Sequence, residues 1–317
     1  MKNVLVTGGF GFIGSDFIKL IFEEFTLKKI EFKIYCVDKM TYAASYENLP
    51  QTIRSNENFI HLKYDICDEE VLVLIKNIKF DFCVNFAAES HVDNSIESPI
   101  EFVKTNVLGT TNLLNGWRNY QESRFIQIGT DEVYGSVDKG SSYEEDQLKP
   151  SSAYSSSKAS ADLISQSFKH TYGMDIVVTR CTNNFGPNQN TEKLIPKMIM
   201  NYISGNDLEI YGSGQNIREW IYVRDHSLAI QAILNRSKLK FSLYNIGSNT
   251  ELTNLSIVNA LSQFFPNSKS KVKLVKDRLG HDFRYSLNSD RIREELAWKP
   301  IFDFEDGLRI TVESYLN

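Results

Sequence analysis

The segment that most restricts how this chain can fold lies at its start. Val4-Leu5-Val6 runs directly into Thr7-Gly8-Gly9-Phe10-Gly11-Phe12-Ile13-Gly14, and apolar residues then recur at helical spacing over 13–25. A β-type run, a glycine turn and an amphipathic helix in immediate succession read as the opening unit of a parallel sheet. Glycines at 8, 11 and 14 suit a tight turn, close backbone approach to a pyrophosphate and close helix–strand packing. The phosphates would face the unpaired N–H groups at the helix start. A flexible turn is the bland alternative in a chain with 17 glycines, and the strand-before, helix-after context argues against it.

The pattern repeats. Runs rich in β-branched residues fall at 4–7, 33–37, 59–63, 82–86, 125–129 and 176–180, with helical spacing at 13–25, 69–76, 103–117 and 156–170. This alternation predicts an α/β fold, a Rossmann-type doubly wound parallel sheet covered by helices on both faces. Past residue 181 the regularity fades: helical patterns at 194–203, 226–235 and 256–265 separate strand-like pieces at 219–223, 243–246 and 272–275. The expected division is a nucleotide-binding domain over 1–181, with roughly 219–247 returning to it, and a smaller α/β substrate-binding domain over the rest of 182–317. The polar stretch 136–152 reads as a surface loop.

Apolar residues at 42%, charged residues at 24% and a net charge of −5 exclude a disordered or fibrous chain. They also argue against nucleic acid or an anionic membrane as partner. No apolar run reaches the roughly 20 residues of a membrane span, and no secretory leader precedes Val4. Cys36, Cys67, Cys83 and Cys181 lack metal-ligand spacing and read as small hydrophobes in a reducing compartment. The five histidines are widely spaced, so no metal site is expected, and His91 reads as a structural residue. The expectation is a cytoplasmic protein.

Three further features carry chemistry. Asp38 closes the second strand, where an acid accepts a hydrogen bond from a ribose 2′-OH and repels a 2′-phosphate; NAD is therefore preferred to NADP, with Lys39 alongside weakening the preference. Asp65, followed by Ile66 after the third strand, is placed for an adenine contact or as a cap for the next helix. Tyr154-Ser155-Ser156-Ser157-Lys158 puts a phenol and an ammonium on one face if a helix starts there. A nearby cation would lower the Tyr154 pKa and make it a general base. Tyr35 and Lys39 share the spacing, but across a strand they stand roughly 13 Å apart. Thr130-Asp131-Glu132 falls at the carboxyl end of the fifth strand, where such sheets place ligands. On an extended backbone the two acids would project differently and could act as acid and base on one substrate; a solvated turn is the bland alternative.

With these residues in place, the chain resembles the extended short-chain dehydrogenase/reductases, and within them the nucleoside-diphosphate-glucose 4,6-dehydratases. The motifs are TGGFGFIGS at 7–15, NFAAESHVDNSI at 85–96, GTDEVYG at 129–135, YSSSK at 154–158, RCTNNFGP at 180–187, EKLIPKM at 192–198, IREWIYVRDH at 217–226 and DRLGHDFRY at 277–285. The acid pair in GTDEVYG is the discriminating feature, since related epimerases and decarboxylases lack it. The resemblance implies Tyr154, supported by Lys158, as base for a sugar 4-hydroxyl, Thr130 bonding the 4-oxygen, Glu132 taking the C5 proton and Asp131 protonating the departing C6 hydroxyl. It implies NAD held by Gly8, Gly11, Phe12, Ile13, Gly14, Asp38, Lys39, Asp65, Ile66, Ala87, Ala88, Thr105, Tyr154, Lys158 and Asn184. The nucleotide sugar would meet Ser90, Thr130, Asn183, Lys193, Leu194, Arg218, Asn254, Arg278 and His281. Arg218 and Arg278 are candidate diphosphate clamps, with a surface pair to Glu219 as the alternative for Arg218. The helices at 103–117 and 156–170 would pair into a homodimer.

Two departures bear on the substrate: a short segment between Gly135 and Tyr154, and Leu279 in place of the usual proline of DRPGH. Both dTDP-glucose and UDP-glucose stay open. Gly186–Gln189 followed by EKLIPK is similar to uridine-diphosphate-using rhamnose-pathway enzymes of plants and leans to uridine. An epimerase or decarboxylase of the same family, and a non-catalytic NAD-binding scaffold, remain the rivals.

Overall fold

The computed structural model describes residues 1–278 and 280–316; Leu279 lies outside the described residues. Seven parallel strands form the central sheet. In chain order they are β1 (Lys2–Thr7), β2 (Phe32–Val37), β3 (Phe59–Leu62), β4 (Phe82–Asn85), β5 (Arg124–Thr130) and β6 (Ile176–Cys181). Three short later strands follow, β7 (Asn183–Phe185), β8 (Leu208–Tyr211) and β9 (Ile217–Tyr222), before β10 (Leu243–Ile246) completes the sheet. The spatial order is β10-β6-β5-β4-β1-β2-β3. The chain winds from β1 out to β3, then crosses back to lay β4 on the other side of β1. The switch point between β1 and β4 is where such a sheet leaves a crevice at its carboxyl ends.

Helices cover both faces because the strands are apolar on both. All seven residues of β5 are buried. On one face Phe12–Leu27 packs against Val223–Leu234 through Phe17, Ile18, Ile21, Ile230 and Ile233. On the other, Glu69–Asn77, Thr110–Tyr120 and Ala153–Tyr172 bury Val71, Ile75, Leu113 and Trp117 over Phe125 and Ile176. Each such side chain contributes about 1.5–3 kcal/mol on burial. The remainder forms a separate core of Phe185, Ile195, Met198, Trp220, Tyr222 and Leu308. Here β7 and β9 join β11 (Glu251–Thr253) in a three-stranded sheet, and β8 pairs with β12 (Val272–Val275).

The structure departs from the sequence reading at several places. Within 219–247, β9 stays in the three-stranded sheet, while Val223–Leu234 and β10 join the large one. Ile292, Leu296 and Trp298 also reach that first core, and the Trp298 ring N–H donates to the Asp225 carbonyl at 3.3 Å. The expected surface loop 136–152 is anchored. Glu144 is buried and accepts the Asn245 N–H at 3.0 Å, Ser142 bridges to Leu287, and Arg284 donates to the carbonyls of Val137 and Gly140. Most of the segment is exposed, as expected of a surface loop, and these few buried partners fasten it to the rest of the chain. The expected helix over 103–117 begins as a wide π-type turn, Val103–Gly109, before regular helix resumes at Thr110. That turn buries Thr105 and Asn106, and Asn106 accepts the Glu89 N–H and donates to Ser157; π-turns of this kind frequently mark functional sites.

Cys36, Cys83 and Cys181 are buried, Cys67 is half-buried, and all four are free thiols. Among the described residues no helix is long and apolar enough to cross a membrane. Phe125 is fully buried, with its ring 5.8 Å from that of Trp117. Replacing it by alanine should lower the unfolding free energy by about 3–5 kcal/mol, read as a lower denaturant midpoint at unchanged slope; an unmoved midpoint would contradict the packing described.

Candidate active site

Gly8 follows β1 with a left-handed φ of +67°, and a Cβ there would lie 2.6 Å from the Ala87 nitrogen just after β4. A Cβ on Gly14 would lie 2.3 Å from the Gly8 carbonyl oxygen. Bare backbone therefore lines the crevice, and the helix that starts at Phe12 has no side-chain cap, leaving its first N–H groups facing the cavity. Asp38 accepts N–H bonds from Phe10 at 2.9 Å and Met40 at 2.8 Å, so it pins the glycine loop as well as lining the cavity. Lys39 lies 3.2 Å from Asp65. Burial works against the Asp65 charge, but the Cys67 N–H and the Lys39 ammonium hold its carboxyl below the usual range. Every residue singled out above for the cofactor, from Gly8 to Asn184, lines this one cavity.

Thr130, Asp131 and Glu132 lie at its floor. The backbone does not stay extended: Asp131–Tyr134 closes a tight 3-10 turn, capped by the Thr130 hydroxyl, which accepts the Glu132 N–H at 3.3 Å. Thr130 also donates to one Asp131 oxygen at 3.1 Å; the other oxygen is buried without a hydrogen-bond partner among the described residues. Burial, then Glu132 and Glu219, push the Asp131 carboxyl well above the usual carboxylate range. Burial raises Glu132 too, but Arg218, Lys193 and Arg278 oppose it. The neighbours thus favour a neutral Asp131 and an ionised Glu132.

Tyr154 and Lys158 occupy the first turns of Ala153–Tyr172, fixed by a capping box between Ser152 and Ser155. The expected lowering of the Tyr154 pKa is not seen in the protein alone. Burial and the charges of Glu132 and Asp131 drive it well above the ordinary phenol value, while a Thr130 hydrogen bond opposes them. The Lys158 ammonium donates to the Ile128 carbonyl, and burial lowers its own pKa.

Glu132 also faces a second cavity, which shares Ser90, Asn183 and Lys193 with the first. Leu194, Arg218, Asn254, Arg278 and His281 line it; Thr130 stays on the first-cavity side. Arg218 forms no surface pair with Glu219. Alternation along β9 sends Glu219 to the other face, where it accepts the N–H groups of Asn249 and Leu287. Arg218 donates to the carbonyls of Ile217 and Asp282 and lies 4.3 Å over the Tyr285 ring. Arg278 pairs with Asp93 at 2.8 Å, His281 with Asp277 at 2.7 Å, and Lys193 donates to the Ser90 carbonyl. His91 lines this cavity too, 3.7 Å from both Asp93 and Glu192, and among the described residues its Nδ1 has no hydrogen bond, so it is not the satisfied structural histidine expected. Sequence reasoning passed over Asp93 and Tyr285, although both lie inside quoted motifs. Neither carried a local signal, because the arginines they meet, Arg278 and Arg218, are distant in the chain.

A doubly wound sheet with a glycine-lined first crossover, a Tyr-x-x-x-Lys helix and an acid pair at the end of β5 defines an extended short-chain dehydrogenase/reductase. The sequence profile of the GDP-mannose 4,6 dehydratase family matches residues 5–311, and the chain belongs to that family. It is 42% identical to a dTDP-glucose 4,6-dehydratase of Streptomyces niveus, over 99% of this chain and 92% of the relative. The solved dTDP-glucose 4,6-dehydratase DesIV of Streptomyces venezuelae, crystallised with NAD, superposes with a TM-score of 0.93 at 39% identity, covering 99% of this chain and 97% of that one. A UDP-glucose 4-epimerase of Thermotoga maritima reaches 0.89 at 27% identity, over 99% and 98%.

The buried Asp131 gives a pH test. Its native pKa is raised, so the unfolded state releases the proton first and stability falls as pH climbs from the ordinary value toward the native one. Asp131→Asn removes that penalty. At about pH 7.5 the variant should be more stable by about 1 kcal/mol or more, with the gain gone near about pH 3. Equal unfolding midpoints at both pH values would contradict a buried, neutral carboxyl.

Proposed function

We propose that this chain is an NAD-dependent hydro-lyase that converts dTDP-glucose to the 4-keto-6-deoxy-glucose nucleotide. The observation that carries the reading is the meeting, at one cavity, of the buried phenol of Tyr154 with Asp131, raised by burial and neighbouring carboxylates, and Glu132, whose rise on burial three basic residues oppose. An epimerase needs the phenol and the cofactor but no acid–base pair, and the epimerase above has nearly the same fold, so the acids and not the architecture separate the two. The relatives named for dTDP-glucose favour thymidine over the uridine leaning of Gly186–Gln189.

The first cavity fits NAD. Side chains at Gly8 and Gly14 would collide with the backbone of Ala87 and of Gly8, so only glycine permits the tight loop that lines the cavity, and Asp38 supplies a ribose acceptor that disfavours a 2′-phosphate. When bound, the nicotinamide supplies a hydride acceptor for sugar C4 and a hydride donor for C6. In this reading Tyr154 takes the proton of the 4-hydroxyl, which Thr130 helps to orient. Glu132 takes the C5 proton, acidified by the new ketone. Asp131 gives its proton to the C6 hydroxyl, which leaves as water, and Glu132 returns a proton to C5. Lys158 offsets the negative charge of the phenolate form in which Tyr154 accepts that proton. Arg218 and Arg278 hold the diphosphate, with Ser90, Asn183, Lys193, Leu194, Asn254 and His281 around the nucleotide and sugar. The cofactor side is residues 1–181 with the returning segments, and the substrate side is the remainder. Free cysteines support a cytoplasmic setting. Exposed Val103, Leu108 and Leu163 on the two segments expected to pair support a homodimer.

Purified protein should turn over dTDP-glucose with higher kcat/KM than UDP-glucose, giving a product whose proton NMR spectrum carries a C6 methyl group. A product inverted at C4 with its C6 hydroxyl intact would contradict the proposal. Glu132→Gln should lower kcat by about 10²–10⁴-fold with NAD content unchanged, and an unaffected kcat would remove Glu132 from its role. Light scattering at micromolar concentration should give twice the chain mass; a monomer mass would contradict the dimer.

A further inference from the structure

Lys158 and Asp162 stand one turn apart on the same face of Ala153–Tyr172. Both touch consecutive residues of β5. The Lys158 ammonium donates to the Ile128 carbonyl, and Asp162 packs against Gly129, where an added Cβ would lie 3.0 Å from Asp162 Oδ1. Asp162 is fully buried, and Oδ1 has no hydrogen-bond partner among the described residues. Its other oxygen accepts from Arg180 Nε at 3.0 Å, and Arg180 is buried as well.

A buried carboxylate with one oxygen left unbonded beside a lysine turn is a costly arrangement if its only purpose is to pair Arg180. Resting on the reading of Tyr154 and Lys158 given above, we propose that Asp162 is a positioning residue whose carboxylate is the counter-ion of the Lys158 ammonium. Burial disfavours the lysine charge and lowers its pKa; Asp162 on its own helix, without a direct ion pair, opposes that, and the Cys181 thiol on β6 faces the same ammonium. Tyr154 stands one turn before Lys158 on the same helix. Arg180, always charged, and Lys158 together oppose the burial that would otherwise protonate Asp162. The same arginine donates to the Tyr134 hydroxyl at 2.7 Å and lies 4.8 Å over its ring. Tyr134 ends the turn that begins at Asp131, and its hydroxyl donates to Asn245 at 2.8 Å. One carboxylate thus ties the Tyr154 helix to the acid–base turn.

The test reads the Lys158 titration directly, by 13C NMR of protein labelled at lysine Cε, with the Lys158→Met spectrum for assignment. In Asp162→Asn the midpoint should fall by about one pH unit or more. The alkaline limb of the kcat–pH profile should move down with it, costing about tenfold in kcat above that limb, at unchanged KM. The double variant Asp162→Asn/Arg180→Met removes the unpaired arginine charge, so it carries the test even where the single variant fails to fold. Its Lys158 midpoint should stay low, because the counter-ion is still missing. A midpoint equal to that of the unsubstituted protein, in either variant, would mean that Asp162 serves only Arg180 and the fold, and would overturn the proposal. The NMR midpoint needs no substrate, so it stands apart from any failure of the dehydratase reading.

Discussion

The exclusion of water at the carboxyl end of β5 is the constraint on which the rest of this structure depends. Asp131, Tyr154 and Lys158 are all buried there, and burial disfavours the charged form of each. In water an aspartic acid would be ionised, whereas here burial raises Asp131 and also moves the Tyr154 phenol further from its phenolate form. In this cavity small differences in neighbouring charge decide their protonation. Three basic residues oppose the rise of Glu132, whereas Asp131 feels Glu132 and Glu219. Two adjacent acids come to differ because the turn after Thr130 shows them different surroundings.

The sheet supplies that cavity for a topological reason. Reversal of winding between β1 and β4 opens a crevice, and Gly8 meets Ala87 across it with no room for a side chain. Polar groups that would be costly to bury are tied to the same frame: Asp38 to the glycine loop, Asn106 to Glu89 and Ser157, Asp162 to Arg180. The second core then brings Arg218, Arg278 and Lys193 over the opening, so cofactor-side and substrate-side cavities share Glu132 as a wall.

The parallel sheet was legible because its strands are short apolar runs with period-breaking glycines between them, and β10 and β12 match the expected bounds, 243–246 and 272–275. The residues around the cofactor cavity were legible because they follow strand ends in order. What stayed hidden depends on contacts distant in sequence. The anchoring of 136–152 rests on Glu144 reaching Asn245, a hundred residues away. The π-type turn at Val103–Gly109 has no local signature separating it from ordinary helix. The helix Phe304–Leu316 carried a readable stripe of Phe304, Leu308 and Val312 that went unread. The lowered phenol pKa failed for another reason: four-residue spacing brings Lys158 near, but spacing does not report how deeply the phenol is buried.

The central claim is that one phenol and two carboxyls act on a single hexose within one enclosed site. Following the label of dTDP-glucose deuterated at C4 tests it most directly. The account predicts deuterium carried within the same molecule to the C6 methyl group, with a solvent proton entering at C5. Deuterium retained at C4, or a product that keeps its C6 hydroxyl, would contradict it.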